Sequence, residues 1–215
     1  MATVAGRPFL ELLLRQLHRY GFSRVLLAVG YQKDAIRAHF GAEVYGLHLV
    51  YSEEASPLGT GGALRNTLDK IQSDTILVMN GDSYTDIDLA RFVDEHREGH
   101  ADVSVAIVPA DGRLDCGYAF VDGTGKLTRF AEKTAGAGEP FLNAGIYLLS
   151  RSLVMEIPSG IQTSLESEVL PRWLEQGRSV RAFAGPDACV DIGTPERFEK
   201  AQKALANVEQ HPGRP

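Results

Sequence analysis

Short apolar segments alternate with amphipathic segments through the first half of the chain, and this alternation limits the possible folds more than any other feature. Residues 25–29 and 75–79 are short and almost continuously apolar, as strands buried on both faces of a sheet are. Apolar residues at helical spacing occupy other stretches, for example residues 9–17 and 33–40. Because parallel strands need a crossover between them, this alternation predicts a Rossmann-like, doubly wound α/β sheet.

The pattern changes in the second half of the chain. Residues 118–121 and 127–131 flank an Asp-Gly-Thr-Gly turn at 122–125, which predicts an antiparallel hairpin. Residues 141–149 form a longer predicted strand. The sequence therefore predicts a mixed sheet in one domain over residues 1–207, with its antiparallel elements in the second half. A polar tail over residues 208–215 is expected to be disordered.

The charge and cysteine content exclude several classes of protein. The formal net charge is −6 and no run of Lys or Arg occurs, which argues against general nucleic-acid binding. Cys116 and Cys189 lie far apart without CxxC spacing, so a disulfide framework is not expected and a reduced, cytoplasmic location is. Charged residues interrupt the apolar stretch at 9–17, so no membrane span is predicted. An anionic substrate would need local cations or a metal ion.

Two aspartates lie at the ends of predicted strands and are candidate metal ligands. Asp82 ends the sequence Asn80-Gly81-Asp82 after the strand at 75–79, and Asp191 ends a short predicted strand at 189–191. Open α/β sheets bind ligands at the carboxyl ends of their strands, and carboxylates suit Mg²⁺. If both strands belong to one sheet, the two carboxylates converge. The alternative is that each aspartate caps a turn, although Thr194 is the predicted N-cap of the last helix and leaves Asp191 free.

A glycine-rich segment, LGTGGAL at residues 58–64, precedes a helix predicted from residue 63 to residue 68. Glycines at a helix N-terminus permit close approach of the backbone to a ligand, and the alternative is a flexible turn. A dinucleotide fingerprint fails, because Leu64 stands where G-x-G-x-x-G requires glycine. A nicotinamide-dependent oxidoreductase is therefore disfavoured.

Three further segments contain polar residues that are candidates for ligand binding. Glu132 and Lys133 follow the hairpin, and Asn143 with Gly145 interrupts a predicted strand, where a bulge is the commoner cause. Thr163-x-x-Glu166 matches a capping box, so Glu166 has either a structural role or a substrate-facing one.

Taken in order, these segments resemble the motif series of the sugar-1-phosphate nucleotidylyltransferases. The resemblance runs from about residue 4 to residue 206. SLESEVLP at 164–171 and NGDSY at 80–84 are most similar to the D-glycero-D-manno-heptose 1-phosphate guanylyltransferases. The motifs are VAGRPFLE at 4–11, LGTGGAL at 58–64, NGD at 80–82, EK at 132–133, NAGIY at 143–147 and DIGTPE at 191–196.

The resemblance implies that a sugar 1-phosphate oxygen attacks the α-phosphate of a nucleoside triphosphate, GTP by this likeness, and releases pyrophosphate. It implies that Asp82 and Asp191 hold Mg²⁺ and, with Lys133 on the sugar phosphate, form the catalytic group. The nucleobase and ribose would lie against Gly59, Thr60 and Gly61, and the sugar against Glu132, Asn143, Gly145 and Glu166. The expected partners are these small molecules, with a homo-oligomer as a further possibility and no nucleic acid or membrane.

One family feature is not found among these residues. Members begin with a strand and a G-G-x-G-x-R-L loop followed by a Pro-Lys pair, ahead of the segment that starts here at Val4. The resemblance therefore implies a gap in the sheet beside the central strands and an edge prone to self-association. Three alternatives stay open: an active guanylyltransferase, a nucleotidylyltransferase of another base and sugar, and a non-catalytic binding homologue or inactive fragment that acts as a partner subunit.

Overall fold

The computed structural model describes residues 1–110, 117–132, 141–185 and 189–206, so the predicted tail at 208–215 lies outside the described residues. Seven α-helices occur in the described ranges, together with a 3-10 turn at Leu68–Lys70 and a π-helical turn at Leu165–Val169. The helices are α1 (Phe9–Arg19), α2 (Lys33–Phe40), α3 (Gly59–Asn66), α4 (Leu89–Glu98), α5 (Arg151–Met155), α6 (Leu170–Glu175) and α7 (Pro195–Leu205).

Thirteen strands lie in the same ranges, five of them only two residues long. They are β1 (Thr3–Val4), β2 (Arg7–Pro8), β3 (Arg24–Val29), β4 (Glu43–Val44), β5 (Leu47–Glu53), β6 (Thr75–Met79), β7 (Ser83–Tyr84), β8 (Val103–Pro109), β9 (Gly117–Val121), β10 (Leu127–Glu132), β11 (Phe141–Ser150), β12 (Val180–Ala184) and β13 (Val190–Asp191).

The central sheet is organised around β11, which pairs antiparallel with β6, β8 and β9. Both faces of the sheet are apolar, because successive side chains of a strand point to opposite faces. Val103 and Val105 of β8 pack on the face covered by α5 and α6. Ala106 and Val108 pack on the opposite face, with side chains of α1 and α4. Helices on both faces therefore bury most of β8 and β11 at the centre of the sheet, as the predicted α/β class requires.

The described strands do not form the regular parallel order expected of the first half of the chain. A separate sheet has the order β3-β5-β4, and β6 instead joins the central sheet through antiparallel pairing with β11. Among the described strands, only β3 with β5 and β8 with β12 pair in parallel. The apolar run at 75–79 predicts β6, but it does not identify the neighbour to which β6 is hydrogen-bonded. The predicted burial on both faces is wrong, because Thr75 is exposed and the other four residues are only partly buried.

A cavity of about 880 Å³ separates β3 from β6. Every residue of both strands lines this cavity, which side chains from α1 and α3 also enclose. Within the described ranges, β3 is hydrogen-bonded to β5 on one side and β6 to β11 on one side, so each strand has a free edge. The gap in the sheet that the family resemblance implies is therefore present.

Two element boundaries differ from the sequence prediction. Helix α3 begins at Gly59 instead of residue 63, so the glycines lie in its first turn and not in a preceding loop. The stretch predicted as helical at 163–176 divides into a π-helical turn and α6, with the restart near Pro171 that a proline predicts. Across the described ranges, every helix is too short or too polar to traverse a lipid bilayer.

Gly145 forms a bulge in β11 that brings two strand ends together. Its φ angle is 71°, and the register between β11 and β8 shifts between Asn143 and Tyr147. A Cβ atom on Gly145 would lie 2.9 Å from Asn80 Nδ2, closer than real Cβ contacts allow. Both the backbone conformation and the contact require glycine. The structural interpretation of this glycine, a bulge, is therefore correct.

We expect Gly145→Ala to lower the free energy of unfolding by about 1–3 kcal/mol, because alanine disfavours this φ angle and its Cβ collides with Asn80. Gly123→Ala is the matched control, since a Cβ there would meet no atom within 4 Å and the φ angle of Gly123 is not positive. Urea unfolding of the two variants measures the difference. Equal stability of the two variants would contradict the strained bulge.

Candidate active site

A short backbone ladder brings Asp82 and Asp191 together. Strand β7 pairs antiparallel with β13, with Asp191 opposite Ser83, and Ile192 N donates to Asp82 O at 3.0 Å. A Cβ atom placed on Gly193 would lie 3.3 Å from Asp191 Oδ1 and 3.8 Å from Asp82 Oδ2. The two carboxylates therefore border the same small space. Their convergence agrees with the sequence prediction, although its proposed route, a shared strand position in one sheet, is wrong.

The surroundings of Asp82 oppose its ionisation. Asp82 is exposed as a residue, yet partial burial of its carboxylate raises the pKa, and the negative charge of Asp191 raises it further. Glu166 contributes in the same direction more weakly, whereas a hydrogen bond from Ser83 Oγ at 3.3 Å lowers the pKa. Three carboxylates thus act on one another, which creates a region of negative potential suited to a cation.

Asp191 also shapes the turn that follows it. Its Oδ1 atom accepts hydrogen bonds from Gly193 N at 2.9 Å and from Arg197 Nη1 at 2.9 Å. Thr194 caps α7 as predicted, with Thr194 Oγ1 accepting from Arg197 N at 3.3 Å. The inference that this cap leaves Asp191 free is wrong, because Asp191 makes the turn contact as well. Both of these hydrogen bonds end on Oδ1.

The donor set suits a divalent ion that keeps other ligands. No group of three His, Cys, Asp or Glu side chains within the described ranges has the arrangement of a complete metal cage. Two carboxylates beside an open space leave positions for water and for phosphate oxygens, as Mg²⁺ sites commonly do. The residues present therefore fit an ion shared with a phosphorylated ligand.

A buried tyrosine joins the predicted sugar-side residues into one network. Tyr147 is fully buried, and its hydroxyl accepts from Asn143 Nδ2 at 2.6 Å and donates to Glu166 Oε1 at 3.0 Å. Asn143 Oδ1 in turn accepts from Gly145 N at 3.0 Å. Burial, followed by the charge of Glu166, raises the pKa of Tyr147 well above its ordinary value. The hydroxyl stays protonated and can keep donating to Glu166.

Sequence reasoning did not identify Tyr147 as part of the site. In the apolar run of β11 its ring is indistinguishable from other core side chains, and it occupies the central cluster with Val105 and Trp173. One signal was available. A buried tyrosine hydroxyl needs a hydrogen-bond partner, and Asn143 stands four residues earlier in the same strand.

The first turn of α3 packs directly against the segment that carries Glu166. Gly61 N and Gly62 N both donate to Thr163 O, at 2.9 and 3.1 Å, and a Cβ on Gly59 would lie only 2.6 Å from that oxygen. The glycines therefore have a packing role as well as any role toward a ligand. The alternative that this segment is a flexible turn is not supported, because the glycines lie in a helix and two of them are hydrogen-bonded to Thr163 O.

Thr60 connects this helix to Glu166. Thr60 Oγ1 donates to Glu166 Oε2 at 2.5 Å and accepts from Leu165 N at 2.8 Å. The capping box predicted for Thr163 and Glu166 is wrong: Ser164 is the N-cap and accepts from Ser167 N, while Ser164 N donates to Glu168. Glu166 is thus free of a capping role and faces Thr60 and Tyr147.

Two predicted site residues cannot be located at the side-chain level. Lys133 lies outside the described residues, and the structure describes only the backbone of Glu132, at the end of β10. The remaining predicted residues form two adjoining groups. One contains Asp82 and Asp191, and the other contains Gly59, Thr60, Gly61, Asn143, Gly145 and Glu166.

Comparison with known proteins finds a matching family and several similar nucleotidylyltransferases. Residues 1–208 match the family described as Nucleotidyl transferase. The chain is 35% identical to mannose-1-phosphate guanylyltransferase of Mycobacterium tuberculosis over 95% of this chain, but it spans only 58% of the length of that relative. It is 28% identical to D-glycero-alpha-D-manno-heptose 1-phosphate guanylyltransferase of Aneurinibacillus thermoaerophilus, over 95% of this chain and 88% of the relative.

A solved structure shows the same fold. The crystal structure of HddC from Yersinia pseudotuberculosis, complexed with GMP-PN, matches with a TM-score of 0.82 and 28% sequence identity. The match covers 95% of this chain and 88% of that one. The α/β prediction is therefore confirmed by a related structure.

Replacing Tyr147 by phenylalanine tests the buried network. We expect Tyr147→Phe to lower the free energy of unfolding by about 1–3 kcal/mol, because Asn143 and Glu166 each lose a buried partner. Tyr31→Phe is the control, since Tyr31 is 89% exposed and its replacement should change stability by about 0.5 kcal/mol or less. Chemical unfolding measures both variants, and identical midpoints would refute the network.

Replacing Asp82 by asparagine tests the repulsion between the acids. Because the folded chain raises the pKa of Asp82, its ionised form opposes folding above the ordinary aspartate pKa. In EDTA at pH 7, Asp82→Asn should therefore raise the melting temperature, and the gain should shrink as the pH falls toward 4. Asp69→Asn, at a side chain 72% exposed, is the control. A lower melting temperature for Asp82→Asn at pH 7 would contradict the repulsion.

Proposed function

The chain belongs to the nucleotidyl transferase family, and from this membership we propose that it transfers a guanylyl group from GTP to a sugar 1-phosphate. The proposed sugar has the manno configuration, with D-glycero-D-manno-heptose 1-phosphate as the first candidate. The names of two relatives, a mannose-1-phosphate and a manno-heptose 1-phosphate guanylyltransferase, support both the base and the configuration. The products are a nucleotide-sugar and pyrophosphate.

The convergence of Asp82 and Asp191 is the observation that carries this proposal. Two carboxylates that border one open space, next to a third at Glu166, have no evident use in a scaffold and oppose its stability. They fit a divalent ion, and we propose Mg²⁺, held by Asp82 and Asp191. Such an ion supplies neutralisation of phosphate charge in the transition state.

The chain's own residues would position the two substrates. We assign the nucleobase and ribose to the surface formed by Gly59, Thr60 and Gly61, at the start of α3. The sugar hydroxyls would meet Glu166 and Asn143, whose positions Thr60, Tyr147 and Gly145 fix through the hydrogen bonds described above. A carboxylate has about four acceptor positions, so Glu166 retains capacity for a hydroxyl donor.

In the proposed reaction, an oxygen of the sugar 1-phosphate forms a bond to the α-phosphorus as the bond to the bridging oxygen of the leaving pyrophosphate breaks. The attacking phosphate is already ionised at neutral pH, so no general base is needed. Lys133, which we assign to the sugar phosphate with Glu132 beside the sugar, would offset part of the accumulated negative charge. Catalysis then consists mainly of alignment and charge neutralisation.

A uridylyltransferase and a non-catalytic binding protein are the alternatives. A UTP–glucose-1-phosphate uridylyltransferase of Synechocystis is 27% identical over 97% of this chain, and this similarity supports UTP as the alternative nucleotide substrate. The cavity beside β6 is also lined by Asn80, Gly81 and Asp82, so a ligand could bind next to the acids without turnover. We propose a single domain over residues 1–207, acting on small molecules in the cytoplasm, with a homo-oligomer as a possible assembly.

A pyrophosphate-release assay tests the proposal. The four nucleoside triphosphates are each combined with mannose 1-phosphate, D-glycero-D-manno-heptose 1-phosphate, glucose 1-phosphate and MgCl₂. We expect release with GTP and a manno-configured sugar, and a value of kcat/KM lower by roughly 100-fold or more in Asp82→Ala and Asp191→Ala. Asp69→Ala, at an exposed aspartate, should leave the rate unchanged.

Calorimetric binding of GTP with MgCl₂ separates the alternatives. Binding that requires Asp82 and Asp191 but gives no turnover with any sugar would assign the chain to the non-catalytic class. Release with UTP in preference to GTP would replace the guanylyl assignment. Undiminished rates in both aspartate variants would remove the metal assignment.

A further inference from the structure

Arg197 lies in contact with the acid pair. Its Nη1 atom is 2.9 Å from Asp191 Oδ1, and the exposed fractions of the two side chains are only 15% and 21%. No other ion pair between described residues has a basic side chain so little exposed. This is therefore a shielded pair, in which the attraction is screened less by solvent than in a surface pair.

The position of Arg197 in its helix needs an explanation outside the helix. Helix α7 begins at Pro195, so Arg197 occupies the first turn, where the helix dipole favours acidic side chains and disfavours cations. Glu196, its neighbour in the same turn, follows that preference. The local disadvantage of Arg197 is offset by the carboxylate of Asp191, toward which the turn at Gly193 directs it.

Asp191 is also the carboxylate that lies beside Asp82. The Gly193 position is close to an oxygen of each aspartate, so the same turn that carries Arg197 to Asp191 holds the two acids together. Without a cation, two like charges in this space repel each other. The guanidinium supplies one positive charge at that location.

We propose that Arg197 is the resident counter-ion of the acid pair: it offsets the charge of Asp191 when no divalent ion is bound, and it competes with that ion for the same carboxylate. This inference rests on the proposed ion site, because competition requires an ion. The counter-ion part is independent of it, since it concerns the chain in the absence of metal. Arg197 is then a positioning residue, which acts through Asp191.

The two parts have opposite effects on stability and on ion binding. Removing the guanidinium leaves the acids uncompensated, so the metal-free chain should become less stable. The same removal takes a positive charge away from the ion site, so a divalent ion should bind more tightly. A residue that only packs the helix start would lower stability without changing ion binding.

Thermal unfolding of the full chain in EDTA and in increasing MnCl₂ tests the proposal. In EDTA we expect Arg197→Met to melt at a lower temperature than the unaltered chain. Its melting temperature should rise more at each Mn²⁺ concentration, and the rise should begin at an Mn²⁺ concentration at least roughly threefold lower than in the unaltered chain. Arg197→Lys, which retains the charge, should fall between the two.

Lys200→Met is the matched control, because Lys200 lies in the same helix, is 74% exposed and pairs with Glu196 at 2.8 Å. Lys200→Met should change neither the melting temperature in EDTA nor the Mn²⁺ concentration at which the melting temperature begins to rise. Asp191→Asn provides a second test that needs no ion: in EDTA, the decrease in melting temperature caused by Arg197→Met should become smaller when Asp191→Asn is also present.

Three results would overturn the proposal. An undiminished loss in the Asp191→Asn background would refute the counter-ion role. If the melting temperature of Arg197→Met begins to rise at the same or a higher Mn²⁺ concentration than that of the unaltered chain, the competition is refuted. If neither the unaltered chain nor Arg197→Met responds to Mn²⁺, the competition fails together with the ion site, whereas a reduced loss with Asp191→Asn would still uphold the counter-ion role.

Discussion

The antiparallel register between β6 and β11 determines where the polar groups of the site lie. Met79 stands opposite Ile146, and one step further Asn80 N donates to Gly145 O at 2.8 Å. The strand that ends before Asp82 is thereby aligned with the strand that carries Tyr147. A slip of one residue would turn every side chain of β6 to the other face. Core packing and site geometry consequently depend on one and the same alignment.

The site contains charge that works against the folded state. Asp82, Asp191 and Glu166 act on one another in a partly buried space, and like charges held at short range destabilise a fold. The β7–β13 ladder and the cap of α7 keep the first two in place regardless. Strain retained at one location by the rest of the structure is typical of a functional site. The same arrangement gives Arg197 its place beside Asp191.

Features that depend on short-range order are predicted well from the sequence. The run at 75–79 predicts β6 residue for residue, and Thr194 is the N-cap that its position indicates. Long-range pairing leaves no local mark, so the sequence leaves open which sheet contains β13, and its pairing with β7 is seen only in the structure. The capping residue near Glu166 differs from the prediction by one position, a difference that a spacing pattern cannot resolve. Lys133, beyond the described residues, stays a prediction.

The close packing of α3 on Thr163 has a mechanical consequence. Backbone meets backbone there, because Gly59, Gly61 and Gly62 carry no side chain to hold the segments apart. Thr60 and Glu166, distant along the chain, are therefore coupled through this packing and through their own hydrogen bond. A ligand that shifts the hydroxyl of Thr60 would also disturb the surface at Glu166.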